Sequence, residues 1–263
     1  MTPNLLNIHH GFNFRDLGGY QTEAGQTIRA HKVIRSAKLD QLSDRDLNYL
    51  ANYGMRYDVD FRSPEEQAKE PDRLPDVASY YFVPVFPVDE TEVSKAPENI
   101  YEKFGGSPTA GFENMIETYR DIVNLDSAQK AYRQFFDLLL ENEPDDQALL
   151  FHCSAGKDRT GMGAVYLLSA LGVDAHTIRQ DYLAANDYIQ QPLEEMLARV
   201  TAEGGNDNLM QSMRDLWTVN AAYLDSALQT INHEYGGMAD YLQNTLKLTP
   251  AQQKDLRTLY LTD

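Results

Sequence analysis

Ser43 stands before a ten-residue run, DRDLNYLANY, whose apolar positions recur at helical spacing and which stops at Gly54. The serine supplies an N-cap and the glycine a stop, so this is a helix. The period then changes. Tyr57-Asp58-Val59-Asp60-Phe61 alternates apolar and acidic residues, which predicts a strand carrying Asp58 and Asp60 on one face. SYYFVPV, residues 79–85, predicts a second strand. ETYRDIV and AQKAYRQFFDLLL predict two helices, the second ending near Pro144.

The sharpest pattern begins at Gln147: an apolar strand ALLF, a polar loop HCSAGKDR, and TGMGAVYLLSALG, apolar around almost its whole circumference. A helix of that kind must be buried. Gly172 can end it, and Asp174 can cap the next helix through TIRQDYLAAND. Thr249-Pro250-Ala251-Gln252 has the form of a capping box with proline at the first helical position. Strands early, helices late and a strand-loop-helix unit between them predict an α/β layered fold with a helix-rich C-terminal half.

No repeat, low-complexity tract or Pro/Gly/Ser-rich linker divides the 263 residues, so a single domain over 1–263 is expected. No apolar run approaches the roughly 18 residues of a membrane helix, so the chain is not expected to span a membrane. The N-terminus has no basic start followed by a long apolar stretch. A cytoplasmic address is the expectation, with export by a route lacking a classical signal left open. A net charge of -17 excludes nucleic acid as a partner, because that binding rests on a basic face. An anionic substrate is also repelled at long range, so its site must gather cations locally.

The single cysteine can form neither an internal disulfide nor a four-thiolate metal site, and His9-His10 has no further ligand at metal spacing. No metal and no cofactor are expected. Cys153 has a different setting, in the loop between a buried strand and the start of a buried helix. Such a loop offers unpaired N–H groups and the positive end of the helix dipole, which suits a tetrahedral anion. Gly156 lets it curl, Ser154, Ala155, Gly156, Lys157, Asp158 and Arg159 can present consecutive N–H groups, and Arg159 adds a planar fork for two phosphate oxygens. The same potential favours a thiolate, which can displace the oxygen leaving phosphorus and form a phosphocysteine. Thr160 can donate its hydroxyl to the sulfur, and His152 orients the loop from behind. A Walker-type loop is excluded, since Asp158 follows Lys157 and Phe151 stands where the first glycine belongs.

HCSAGKDRTG resembles the C-x(5)-R-[ST] signature of the cysteine phosphatases. In its AGKDRTG form it is similar to the atypical bacterial tyrosine and phosphoinositide phosphatases of the mycobacterial protein tyrosine phosphatase B type. Asn13-Phe14-Arg15-Asp16-Leu17-Gly18-Gly19, Ile34-Arg35-Ser36, Asp60-Phe61-Arg62-Ser63, Asp181-Tyr182-Leu183 with Asn186-Asp187, and Tyr235-Gly236-Gly237 with Tyr241-Leu242 follow that family's pattern in order. The resemblance implies a central mixed sheet flanked by helices, of cysteine-phosphatase type. It implies phosphotyrosine proteins as substrates, with phosphoserine/threonine or phosphoinositides as further ones. It also implies that helices from about 109 to 140 cover the cleft. Lys157 motivates the lipid option, because a second cation in the loop can meet another phosphate on an inositol ring.

The leaving oxygen needs a proton. The only tryptophan, Trp217, is followed by Thr218-Val219 rather than Pro-Asp, so the usual donor loop is missing. Asp158, which the resemblance carries, and Asp89, in a segment leaving a strand end, are close candidates, with Asp60 third. Arg35, Lys38 and Arg62 are the cations expected along the cleft, while Arg15 either ties down the N-terminal segment or supports the site. Two other classes remain: a catalytically silent phosphate-binding module, or a sulfurtransferase or arsenate reductase using the same loop.

Overall fold

A computed structural model describes residues 4–88 and 97–262, the side chains of 97–99 excepted. In chain order its elements are β1 (Asn4–Leu5), β2 (Arg15–Asp16), β3 (Val33–Ser36), α1 (Asp44–Tyr53), β4 (Met55–Asp60), α2 (Pro64–Lys69), β5 (Ser79–Phe82), α3 (Pro97–Phe104), α4 (Ala110–Asn124), α5 (Asp126–Glu141) and β6 (Ala148–His152). The helical half follows: α6 (Arg159–Leu171), α7 (Ala175–Leu183), α8 (Ala185–Tyr188), α9 (Gln190–Ala202), α10 (Asp207–Trp217), α11 (Ala221–Tyr235), α12 (Met238–Asp240) with a π turn after it, and α13 (Pro250–Tyr260).

The six strands form one mixed sheet in the order β1-β2-β3-β6-β4-β5, with β3, β6, β4 and β5 parallel and β1 and β2 antiparallel at one edge. This matches the expected fold class. β6 lies at the centre because its apolar run suits burial on both faces. Leu149 and Phe151 join a core with Phe61, Tyr132, Phe135 and Met162, while Ala148 and Leu150 join Phe14, Ile34, Leu50 and Met55 on the opposite face. Pairing brings Ser36 and Asp60 into register with His152, so the C-terminal ends of three adjacent strands finish together. In α/β sheets that end is where sites are built.

The local signals hold. Ser43 and Asp46 form a capping box for α1, and Gly54 ends it in the left-handed region at φ 105°. Asp174 caps α7, and Thr249 with Gln252 caps α13 behind Pro250. Every residue of α6 is buried except Ser169, as a helix without a polar face requires. The second strand is shorter than expected, ending at Phe82 rather than 85, although the Val83 N–H still donates to Asp60 O at 2.9 Å and the Val85 N–H to Phe61 O at 3.2 Å. Among the described residues no helix is long and apolar enough to cross a membrane.

Candidate active site

β6 delivers His152 to the sheet end, the chain turns through residues 153–158, and α6 begins at Arg159. The loop lies deep: Cys153 is only 2% exposed and Arg159 1%. At Gly156 the backbone takes φ 67°, and a Cβ there would stand 2.3 Å from the Ser36 carbonyl oxygen. Only glycine fits that bend.

Four successive loop carbonyls are held from behind. His152 Nδ1 lies 3.2 Å from the Cys153 oxygen, the Lys38 N–H donates to Ser154 O at 3.2 Å, and Asn13 Nδ2 donates to Ala155 O at 3.2 Å and Gly156 O at 2.9 Å. Arg35 Nη2 also donates to Gly156 O at 2.9 Å. In a trans peptide the C=O and the following N–H point opposite ways. Tying these oxygens back therefore turns the N–H groups of Ser154, Ala155, Gly156 and Lys157 forward. Among the described residues none of those N–H groups meets an acceptor. Buried N–H groups are rarely left unpaired, so a row of them at a helix start reads as a cradle for an anion.

Arg159 closes the cradle and is itself clamped. Glu66 accepts from its Nη1 at 2.6 Å and its Nη2 at 2.8 Å, in a bidentate geometry that fixes the guanidinium plane. Ser154 Oγ donates to the same carboxylate. Burial pushes Glu66 upward, yet Arg159, Ser154 and the Ser63 N–H outweigh it and hold the group well below its usual 4.5. The carboxylate also accepts from Ser63 N–H at 2.8 Å as the N3 member of the α2 capping box. Sequence reasoning missed Glu66 as a site residue. Its signal was the Ser63-Pro64-Glu65-Glu66 capping pattern, which reports the helix start but not the partner across the fold.

Behind the loop lies a second buried charge set. His152 Nε2 is 3.4 Å from Asp58, 3.3 Å from Asp72 and 3.8 Å from Asp60. Burial alone would lower the imidazole, but the carboxylates of Asp72, Asp60 and Asp58 raise it well above 6.5 and keep it charged. Burial pushes Asp58 up to about 6 despite His152. Atoms of Asp58, Asp72 and His152 come within 4.8 Å of one another, the spacing of a cation site. Arg62 and the imidazolium already supply the positive charge there.

Several expected site residues have other places. Arg62, expected to bind phosphate, is fully buried with its fork on Asp60 and further bonds to Asp72 and the Glu70 carbonyl, so its guanidinium is engaged by carboxylates of the protein. Asp60 also accepts from Tyr80 and is committed to these partners. Lys157 is buried with its ammonium 2.5 Å from Asp158, so its side chain does not reach out as the lipid option required. Asp158 accepts in addition from Tyr119 at 2.9 Å, whose hydroxyl is met by Tyr182 at 2.8 Å. Thr160 Oγ1 is buried without a hydrogen-bond partner, and no bond to the sulfur is formed. Lys38 lines the cleft but is paired with Glu70 and Asp40. Asp89 lies outside the described residues.

A cleft of about 780 Å³ opens beside Ser154, with Lys38, Tyr188, Met196, Arg199 and Trp217 among its walls. The helices expected as a cover, α4 and α5, pack instead through Tyr119, Tyr132, Phe135 and Phe136 into the core, and α4 meets the loop through the Tyr119 hydroxyl on Asp158.

Residues 6–262 match the model of the tyrosine phosphatase family. A protein of Cupriavidus necator, whose name assigns it provisionally to the tyrosine-protein phosphatases, is 33% identical over 250 residues, covering 95% of this chain and 85% of that one. The triple specificity protein phosphatase PtpB of Mycobacterium tuberculosis is 29% identical over 259 residues, 89% of this chain and 91% of its own. A tyrosine-protein phosphatase of Nostoc commune is 27% identical over 221 residues, 82% of this chain and 70% of its own.

Proposed function

The chain belongs to the tyrosine phosphatase family and is a phosphoric monoester hydrolase, and on that premise we propose that it acts through a phosphocysteine on Cys153, chiefly on phosphotyrosine. The Cys153 thiolate attacks phosphorus, the bond to the leaving oxygen breaks, and that oxygen takes a proton from a carboxylic acid. Water then attacks phosphorus and gives a proton back to that carboxylate, the S–P bond breaks, and orthophosphate leaves with the thiolate and the carboxylic acid restored. The forward N–H groups of residues 154–157 and the Arg159 fork hold the three non-bridging oxygens through both steps. The observation that carries this reading is the row of unpaired loop N–H groups beside the thiol.

The name of the mycobacterial relative, a triple specificity protein phosphatase, supports substrates beyond phosphotyrosine, with phosphoserine/threonine or phosphoinositides as the candidates. The loop is held by residues as far apart in sequence as Asn13, Glu66, Tyr119 and Arg35, which supports one phosphatase domain over the chain. A silent binding module would leave the thiol beside this cradle without a use.

Mass spectrometry of enzyme quenched in acid during turnover is expected to find a phosphoryl adduct on the peptide containing Cys153. An adduct on another residue, or hydrolysis with none, would sink the mechanism. For the proton donor we propose Asp89, since Asp60 and Asp158 both stand in ion pairs. Asp89→Asn is expected to slow phosphotyrosine far more than an activated aryl phosphate. Asp158→Asn, which strips Lys157 of its partner, is expected to slow both alike. Steady-state rates on the two substrates decide, and a selective loss in Asp158→Asn reverses the assignment.

A further inference from the structure

Behind Ala155 and Gly156 lies a set of charges that the chemistry above does not use. Arg15 and Arg35 are both fully buried and share one carboxylate, Asp181, at 2.8 and 2.5 Å. Tyr20 donates to the same carboxylate at 3.0 Å, and Arg15 Nη1 also reaches the Asp181 carbonyl at 3.0 Å. Two guanidiniums against one carboxylate leave a positive charge in excess. Burial first, and Arg35 next, lower Arg15 to about 10, which shows the crowding. Arg15 Nη2 and Arg35 Nε are buried with no hydrogen-bond partner. A pair that served packing alone would gain nothing from a second buried cation, which costs desolvation.

The excess charge is linked to the loop by two routes. Arg35 Nη2 bonds Gly156 O directly, and Arg15 Nε holds Asn13 Oδ1 at 3.0 Å, which turns the Asn13 amide N–H groups onto Ala155 O and Gly156 O. Asn13 sits at φ 59°, a left-handed conformation that asparagine accepts more readily than most residues. The sequence placed Arg35 along the cleft and left Arg15 between a tether and a support. The structure sets both behind the loop.

We infer that Asn13, held by the buried Arg15–Asp181–Arg35 set, is a positioning residue that aims the N–H groups of Gly156 and Lys157 at the substrate phosphoryl group and thereby sets phosphate affinity. The inference rests on the loop being the phosphate site. A dianion in front of the loop supplies the counter-charge that the buried set lacks. Asn13 and the two arginines touch no substrate atom.

The test is inhibition by orthophosphate, read beside KM and kcat for an aryl phosphate. Asn13→Asp keeps the shape and the Arg15 contact but turns a carboxylate toward two carbonyls. Its inhibition constant and KM are expected to rise about tenfold or more, with kcat changed less, the scale of one charge-assisted hydrogen bond. Asn13→Gly suits the left-handed backbone while removing the amide, so it is expected to melt no lower than Asn13→Asp and still bind phosphate more weakly than the parent. Arg35→Lys is expected to retain more affinity than Arg35→Met. A folded Asn13→Gly enzyme with the parent's inhibition constant overturns the positioning role even if the other variants do not fold. A parent enzyme that orthophosphate does not inhibit overturns instead the reading of the loop as the phosphate site.

Discussion

Cys153→Ser is expected to lower kcat on para-nitrophenyl phosphate by about four orders of magnitude or more while leaving the fold intact. Losing the nucleophile of a covalent mechanism costs on that scale, because the rest of the machinery has no second group to form the intermediate. The replacement is close in size, and the loop carbonyls that shape the cradle are held by Asn13, Arg35, Lys38 and His152 rather than by the sulfur. Orthophosphate should therefore still bind, and the melting temperature should hold. Activity within tenfold of the parent in purified Cys153→Ser would remove the phosphocysteine from the mechanism. Intact turnover in a chelator is expected alongside, since the proposed steps route nothing through a metal.

Glu66→Gln is the second large effect, and it falls on stability and turnover together. The Glu66–Arg159 pair is 1% exposed on each side, so removing the negative charge takes a bidentate carboxylate partner from a buried guanidinium. Breaking such a pair costs about 3 to 5 kcal/mol. Loss of the bidentate clamp also frees the Arg159 plane, and misplacement of a catalytic group by a fraction of its length lowers kcat/KM by about a hundredfold. The pH dependence follows from Glu66 lying below its usual 4.5. A carboxyl depressed on folding contributes stability that is full above 4.5 and is lost as pH falls toward its folded value. The stability gap between parent and Glu66→Gln should thus be constant at neutral pH and narrow once the pH drops below 4.5. Denaturant melts at several pH values measure it, and a gap that widens with acid contradicts the clamp.

Much of this site is legible in the residues alone, and the limits fall along a physical line. The order strand, loop, buried helix around Cys153 is written in local signals: an apolar run, a glycine, an arginine six positions on, and a helix with no polar face. Those signals act over a few residues, through caps, turns and periodicity. The roles of individual charges do not. Arg62 and Lys157 look alike in sequence to cations that reach a substrate, yet one is enclosed by Asp60 and Asp72 and the other by Asp158.

What the sequence by itself determined is the loop with its cysteine, the helices with their caps and the α/β class, because each rests on hydrogen bonds and burial patterns close along the chain. Only the tertiary structure decided which carboxylate holds Arg159, 93 positions from Glu66, and which residues turn the loop carbonyls back from as far away as Asn13. The physical reason is that periodicity reports whether a side chain is buried, while the partner of a buried charge depends on where distant elements meet. Here three parallel strands ending together at Ser36, Asp60 and His152 made that choice.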